Sequence, residues 1–314
     1  MGKPDVLIIG PMHPHVMETL DATYTVHRYW QAEDKAAFIA ERAGRIRAIA
    51  TGGHGGVPRE LIASLPELKV IANFGVGYDS VDVAAASEHG VKVTNTPNVL
   101  NDEVADMGIA LLLATIRRIP LYDRYVREGK WPVHGEPEHT MTLRNRTLGI
   151  IGLGRIGKTI ARRAEAFDVP VVYHGRTEQK DVTYRFYSDL VAMARDVDIL
   201  LAICPGGEAT HGIVNAPVLE ALGPDGIFIN ISRGSVVDEP ALVAALQQGR
   251  IGAAGLDVFA NEPHVPAELI AMDNVVLQPH MGSATHHTRK AMAQLVIDNL
   301  AHHFAGKPLL TPVN

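Results

Sequence analysis

Short apolar runs recur along this chain, and most are followed by a stretch whose apolar residues fall on one helical face. The runs read as buried strands and the stretches as helices packed on them. Up to Thr94 the pattern predicts strands at 5–9, 24–29, 46–51, 69–73 and 91–94, with helices at 16–21, 36–43, 58–64 and 83–89. Strands alternating with helices argue for a parallel α/β sheet. Thr96-Pro97-Asn98 then punctuates the chain like a domain boundary.

A long helix over 103–118 comes next, capped by Asn101 or Asp102. Val104, Met107, Ile109, Leu111, Leu112, Leu113 and Ile116 lie nearly all round it. Both sides should therefore be buried, one in domain packing and the other at a subunit interface. Pro120 marks a break, a second helix covers 122–129, and Trp131-Pro132 opens a polar loop reaching about 142. A second α/β module follows, with strands at 148–151, 171–173, 186–187, 199–203, 227–231, 253–256 and 275–277. Its helices are expected at 158–167, at 188–194 with Ser188 as cap, at 215–221 and at 238–248. A long helix over 288–304 closes the chain, and the tail 308–313 is expected to return to the first module. The expected domains are 1–98 plus 288–314, and 99–287.

Composition narrows the class. At 314 residues, 46% hydrophobic and 20% charged, the chain suits a two-domain globular protein. A net charge of −6 without long basic blocks gives no reason to expect nucleic acid as a partner. The single cysteine, Cys204, cannot form an internal disulfide and fits a reducing compartment. The opening apolar run is too short for a signal peptide, and 108–116 is too short to span a bilayer. A cytoplasmic protein without membrane contact is expected.

The most informative stretch is Gly152-Leu153-Gly154-Arg155-Ile156-Gly157. It follows an apolar strand, opens a helix and leads to a second strand, which is the context a dinucleotide-binding loop requires. Gly152 permits the tight turn, Gly154 lets a pyrophosphate approach the backbone, and Gly157 lets the helix pack on the strand. The helix start offers N–H groups to phosphate. NAD sites usually carry a carboxylate at the end of the second strand, to bind the ribose 2′-OH. Here the strand runs into His174-Gly175-Arg176-Thr177. Arg176 and Thr177 suit a 2′-phosphate instead, with Arg155 adding charge, so NADPH is expected in preference to NADH.

Ligands of open α/β sheets bind outside the carboxyl ends of the strands. Cys204, Arg233, Asp257 and His280 are all predicted at such ends and should face one crevice with the glycine loop. Hydride transfer to a ketone needs a cation for an anionic substrate, a proton donor for the carbonyl oxygen, and a group that keeps the donor protonated. Arg233 has the planar donor fork for the first role. His280 suits the second, since histidine switches near pH 6.5. Glu262, in Asn261-Glu262-Pro263, suits the third. Cys204 lacks an activating partner and reads as a neutral pocket wall. The remaining histidines show no metal-ligand spacing, and no metal is expected.

These motifs, with Asn73-Phe74-Gly75-Val76-Gly77-Tyr78-Asp79, Asn95-Thr96-Pro97, Asn230-Ile231-Ser232-Arg233-Gly234, Leu256-Asp257-Val258-Phe259 and Gln278-Pro279-His280-Met281-Gly282-Ser283, span roughly two thirds of the chain. In this order they resemble the D-isomer-specific 2-hydroxyacid dehydrogenases, and are most similar to the glyoxylate/hydroxypyruvate reductases within that family. The resemblance implies two Rossmann-like domains, a flavodoxin-like substrate domain and a doubly wound dinucleotide-binding domain. It implies Arg233, Glu262 and His280 as the catalytic set. It implies that Val76 and Gly77 offer backbone N–H groups to the substrate carboxylate, near the Gly52-Gly53 loop, with Ser283 also at the substrate. Asp257 is implied near the nicotinamide carboxamide, with Cys204 and Pro205 lining the cofactor. Leu153, Ile156, Thr210, Ile231, Ser232 and Gly282 complete the expected cofactor contacts. A homodimer built around the long helix is implied, in which Trp131 is either a substrate-pocket residue or a plain dimer anchor.

The function expected is NADPH-dependent reduction of small 2-oxoacids, glyoxylate and hydroxypyruvate, to D-2-hydroxyacids, with His280 as general acid. Two alternatives stand beside it. One is reduction of bulkier acids such as phenylpyruvate or hydroxyphenylpyruvate. The other is a dinucleotide-sensing binding protein of the corepressor kind.

Overall fold

The computed structural model describes residues 2–52 and 55–314. Its central strands form where the apolar runs lie, because they are covered on both faces, as parallel sheets require, while the edge strands Thr25–Arg28 and Arg185–Tyr187 are more open. In β1 (Asp5–Ile8), Leu7 points into one core with Ile49 and Ile71. Val6 and Ile8 point into the other, with Ala48, Ala50 and Val70. That is the period of two expected of an extended chain.

The chain divides into two compact units, one of Met1–Leu100 with Thr285–Asn314 and one of Asn101–Ala284. The first holds β1, β2 (Thr25–Arg28), β3 (Ile46–Gly52), β4 (Val70–Phe74) and β5 (Lys92–Thr94), in the order β2-β1-β3-β4-β5. All pairings are parallel, which is the flavodoxin-like doubly wound order. The helix His286–Phe304 lays Ala293, Val296 and Leu300 on this sheet. The tail then returns to β5, where Pro312 bridges Thr94 and the Val93 N–H donates to Asn314 Oδ1 at 2.8 Å.

The second unit holds β6 (Leu148–Ile151), β7 (Val171–His174), β8 (Arg185–Tyr187), β9 (Ile199–Ala202), β10 (Ile227–Asn230), β11 (Ala253–Leu256) and β12 (Val275–Leu277). Their order is β12-β11-β10-β9-β6-β7-β8, again all parallel. The winding reverses between β6 and β9, the switch point at which such sheets bind ligands.

The long helix, Asn101–Ile116, belongs to this second unit. Its Gly108 faces Ile231, and Leu111 and Thr115 lie over Gly255, so the helix lies flush on the sheet. Arg163 holds its exposed edge through Asp102 and Asp106, at 3.0 and 2.6 Å.

Several local expectations are corrected. Asp189, and not Ser188, caps the helix Leu190–Asp196, its Oδ1 accepting the Val191 N–H at 2.8 Å. The helix expected at 122–129 is Ile119–Arg127, since a proline in the first turn gives up no needed N–H. For the same reason the expected loop from Trp131 begins as a helical turn, Trp131–His134. A short helix, Ala267–Ala271, was unforeseen. No helix of the described residues is long and apolar enough to cross a membrane.

Candidate active site

β6 delivers the chain directly into the glycine loop. Gly152 sits at φ +100°, and a Cβ there would stand 2.7 Å from Cys204 Cα, so the tight turn against β9's end admits only glycine. The helix Arg155–Glu165 begins at once, with Gly154 as its N-cap and no side chain covering the first-turn N–H groups. A Cβ on Gly154 would meet nothing within 4 Å. The loop therefore presents uncapped donors and positive dipole to open space, which fits a pyrophosphate.

β7 ends at His174, and Arg176 and Thr177 follow, both exposed. Arg176 has no ion pair among the described residues. Gln179, which the sequence did not single out, ties this segment to the loop. Its Nε2 donates to Leu153 O at 2.6 Å and its N–H to the Tyr173 hydroxyl at 2.7 Å. Arg155 is exposed and Ile156 half-buried. These groups fit a phosphorylated dinucleotide: backbone donors for the pyrophosphate, and an arginine and a hydroxyl where a 2′-phosphate would lie.

The other strand ends supply the chemistry. Asn230, fully buried at the end of β10, accepts both the N–H and the hydroxyl of Ser232, at 3.1 and 2.9 Å. Its Nδ2 donates to Arg233 O at 3.0 Å, fixing the turn that carries the guanidinium. Arg233 is half-buried, and its Nη1 donates to Ser232 O at 2.8 Å. A Cβ on Gly234 would come within 1.9 Å of the Phe259 backbone, so the Arg233 turn lies directly on the segment leading to Glu262. Ile231 is buried.

Glu262 and His280 meet. The imidazole Nδ1 lies 2.8 Å from Glu262 Oε2, and Glu262 Oε1 accepts the Phe259 N–H at 3.1 Å. With Nδ1 committed to the carboxylate, Nε2 is the nitrogen that would exchange a proton with a substrate. His280 has left-handed backbone, φ 55°, and Asp257 holds it there. The Asp257 carbonyl accepts the His280 N–H at 2.8 Å, and its carboxylate accepts the N–H groups of Met281 and Gly282, at 2.6 and 2.8 Å. Asp257 is 1% exposed, and burial pushes its carboxyl above the usual range, opposed by those two hydrogen bonds and by His280. The Gly282 N–H is thus taken by Asp257.

Cys204 is buried, and burial pushes its thiol up to about 11, so it is neutral. Pro205 is exposed, and Thr210 spends its hydroxyl on Pro205 O at 2.6 Å. Ser283 is half-buried beside Gly282. In the first unit, Val76 and Gly77 follow β4 and are half-buried, while Gly53 lies outside the described residues. Trp131 stands 58% exposed on its helical turn. The structure thus brings Glu262, His280, Asp257 and Gly282 together, sets Cys204 against the glycine loop, and leaves Trp131 unpacked.

Comparison with known proteins agrees with this geometry. Residues 109–282 match the family model for the D-isomer specific 2-hydroxyacid dehydrogenase, NAD binding domain. The chain is 48% identical to hydroxyphenylpyruvate reductase of Plectranthus scutellarioides, covering 98% of both chains. It is 47% identical to glyoxylate/hydroxypyruvate reductase A of Arabidopsis thaliana, covering 100% of each. Among solved structures, it is similar to the NADPH-dependent glyoxylate/hydroxypyruvate reductase of Sinorhizobium meliloti, in complex with NADP and malonate. The TM-score is 0.94 at 47% identity, over 99% of this chain and 97% of that one. With its matched dinucleotide domain, full-length relatives and paired Glu262–His280, this chain belongs to the D-isomer specific 2-hydroxyacid dehydrogenase family and is an oxidoreductase.

Proposed function

We propose that this enzyme reduces small 2-oxoacids with NADPH, glyoxylate and hydroxypyruvate foremost, to D-2-hydroxyacids. The unit built on β6–β12 serves as the dinucleotide domain and the unit built on β1–β5 as the substrate domain. The observation that carries the reading is the Glu262–His280 pair, held on the Asp257 turn at the same end of the sheet as the glycine loop.

Bound NADPH supplies the hydride for the keto carbon. The first-turn amides of Arg155–Glu165 would hold its pyrophosphate, and Arg176 and Thr177 its 2′-phosphate. Val76 and Gly77 bind the substrate carboxylate through their N–H groups. Arg233 orients the carboxylate and carbonyl through its donor fork. His280 gives its Nε2 proton to the carbonyl oxygen as the alkoxide forms, and Glu262 stabilises the imidazolium before transfer. Neutral Cys204, packed against Gly152, would line the cofactor pocket without reacting. NADP preference is supported by the exposed Arg176-Thr177 pair and by the cofactor of the Sinorhizobium relative. We further propose that the enzyme is cytoplasmic, in keeping with its single cysteine, and that it forms a homodimer, supported by the exposed apolar residues Ile119, Val126, Trp131 and Val133. Sedimentation at micromolar concentration tests the dimer.

A second reading, reduction of hydroxyphenylpyruvate, is favoured by the Plectranthus relative. Initial rates with NADPH and NADH against glyoxylate, hydroxypyruvate, phenylpyruvate and hydroxyphenylpyruvate separate the two. A higher kcat/KM for glyoxylate or hydroxypyruvate with NADPH supports the proposal. A maximum on the aromatic acids moves the enzyme to that branch, and no turnover of any oxoacid overturns both.

A further inference from the structure

The loop after β4 has an unusual hydrogen-bond pattern. Three successive carbonyls, of Gly75, Val76 and Gly77, are all turned onto donors of the protein interior. Gly75 O accepts the Thr96 N–H at 2.9 Å and Asn73 Nδ2 at 3.2 Å. Val76 O accepts Asn95 Nδ2 at 2.9 Å, and Gly77 O accepts Asn73 Nδ2 at 2.9 Å. Asn73 and Asn95 are 1% and 8% exposed. Two buried amide side chains thus bind the loop from beneath.

A trans peptide is planar, with its N–H pointing opposite to its C=O. The Gly75 carbonyl shares a plane with the Val76 N–H, and the Val76 carbonyl with the Gly77 N–H. Drawing both oxygens inward turns both N–H groups outward. Neither has an acceptor among the described residues. Asn95 is itself braced by the tail. The Thr311 hydroxyl donates to Asn95 O at 2.6 Å, and buried Asn299 donates to that hydroxyl at 2.9 Å.

We propose that Asn73 and Asn95 are positioning residues that aim the Val76 and Gly77 N–H groups at the carboxylate of the oxoacid. Asn95 sets the Gly77 N–H, and Asn73 sets the Val76 N–H together with the Thr96 N–H, which also holds Gly75 O. This rests on the reading that the carboxylate binds at Val76 and Gly77. Both residues act as donors, so an isosteric acceptor in the same place should turn the peptides over.

The test is Asn95→Asp and Asn73→Asp, each a near-isosteric change that faces a carbonyl with a carboxylate. Each should raise KM for glyoxylate and Ki for oxalate by about tenfold or more, the scale of one hydrogen bond to a charged group. KM for NADPH should stay within about twofold, which a general loss of structure would not allow. Asn95→Ser, which removes the amide without adding charge, should show the same split at smaller size. In the wild-type enzyme, oxalate with NADP should slow hydrogen exchange of the 75–78 amides, a readout that needs no variant. Folded Asp variants with wild-type KM and Ki, or no protection by oxalate in an active wild-type enzyme, overturn the proposal. A wild-type enzyme that turns over no oxoacid instead overturns the function on which it rests.

Discussion

Replacing Glu262 with Gln tests the pairing that organises the site. The carboxylate accepts from two donors, the Phe259 N–H at 3.1 Å and His280 Nδ1 at 2.8 Å. A glutamine has one accepting end and one donating end, so it satisfies only one of them and sets an NH₂ group against the other. If its oxygen stays with His280, the bond to a charged acceptor, about 1.5–3 kcal/mol, becomes a neutral one of about 0.5–1.5 kcal/mol. The protonated imidazole that must be present to donate loses about 1–2 kcal/mol of support, or roughly fivefold to thirtyfold in turnover at 1.4 kcal/mol per decade. If the NH₂ faces His280 instead, ring orientation is lost as well and the fall is larger. The assay is kcat for glyoxylate at saturating NADPH, with NADPH affinity measured separately by nucleotide fluorescence. Affinity should hold, because Glu262 lies outside the glycine loop. A folded Glu262→Gln enzyme with turnover within about twofold of wild type would refute the reasoning.

Arg176→Ala should raise KM for NADPH by roughly tenfold, the loss of one charged hydrogen-bond fork discounted for exposure, and leave KM for NADH unchanged; equal effects on both cofactors in initial rates would count against a phosphate contact. Gly152→Ala forces a Cβ to 2.7 Å from Cys204 Cα at φ +100°, so thermal melts should show clear destabilisation, with NADPH binding lost alongside. The Cys204 thiol is pushed up to about 11 by burial, against about 8.5 unfolded. Between these values the folded protein holds the proton and the unfolded chain does not, so this group's contribution to stability falls as pH rises. Urea melts at pH 7 and pH 10 should therefore show a smaller pH penalty in Cys204→Ala than in wild type; equal penalties would contradict the burial argument. Iodoacetamide at pH 8 should label Cys204 slowly until the protein unfolds.

The elements legible in the sequence are those whose signal is local. Leu148–Ile151 and the glycines that follow read correctly because strand, turn and helix are consecutive and each glycine has a steric duty. The ends of β10, β11 and β12 were placed well enough to bring Arg233, Asp257 and His280 to one edge. Helix starts were less legible. Ser188 and Asp189 are both good caps and adjacent, and only the chain's path chooses Asp189. Pro120 and Pro132 read as breaks, whereas both sit in first turns where no donor is lost. The supporting residues were not legible. Asn73, Asn95 and Asn230 stand at the head of recognisable motifs, but what their side chains bond is set by the folded turns, and Gln179 stands in no motif and reaches Leu153 only through the fold.

His280→Asn is the most direct test of His280 as the proton donor. Asparagine tolerates the left-handed backbone that His280 adopts, φ 55°, so the Asp257 turn should survive, and it has no proton to give. Turnover of glyoxylate with NADPH is expected to fall by roughly 10²-fold or more, with NADPH binding and melting temperature close to wild type. Near-normal turnover in that folded variant would contradict the assignment and require another proton donor.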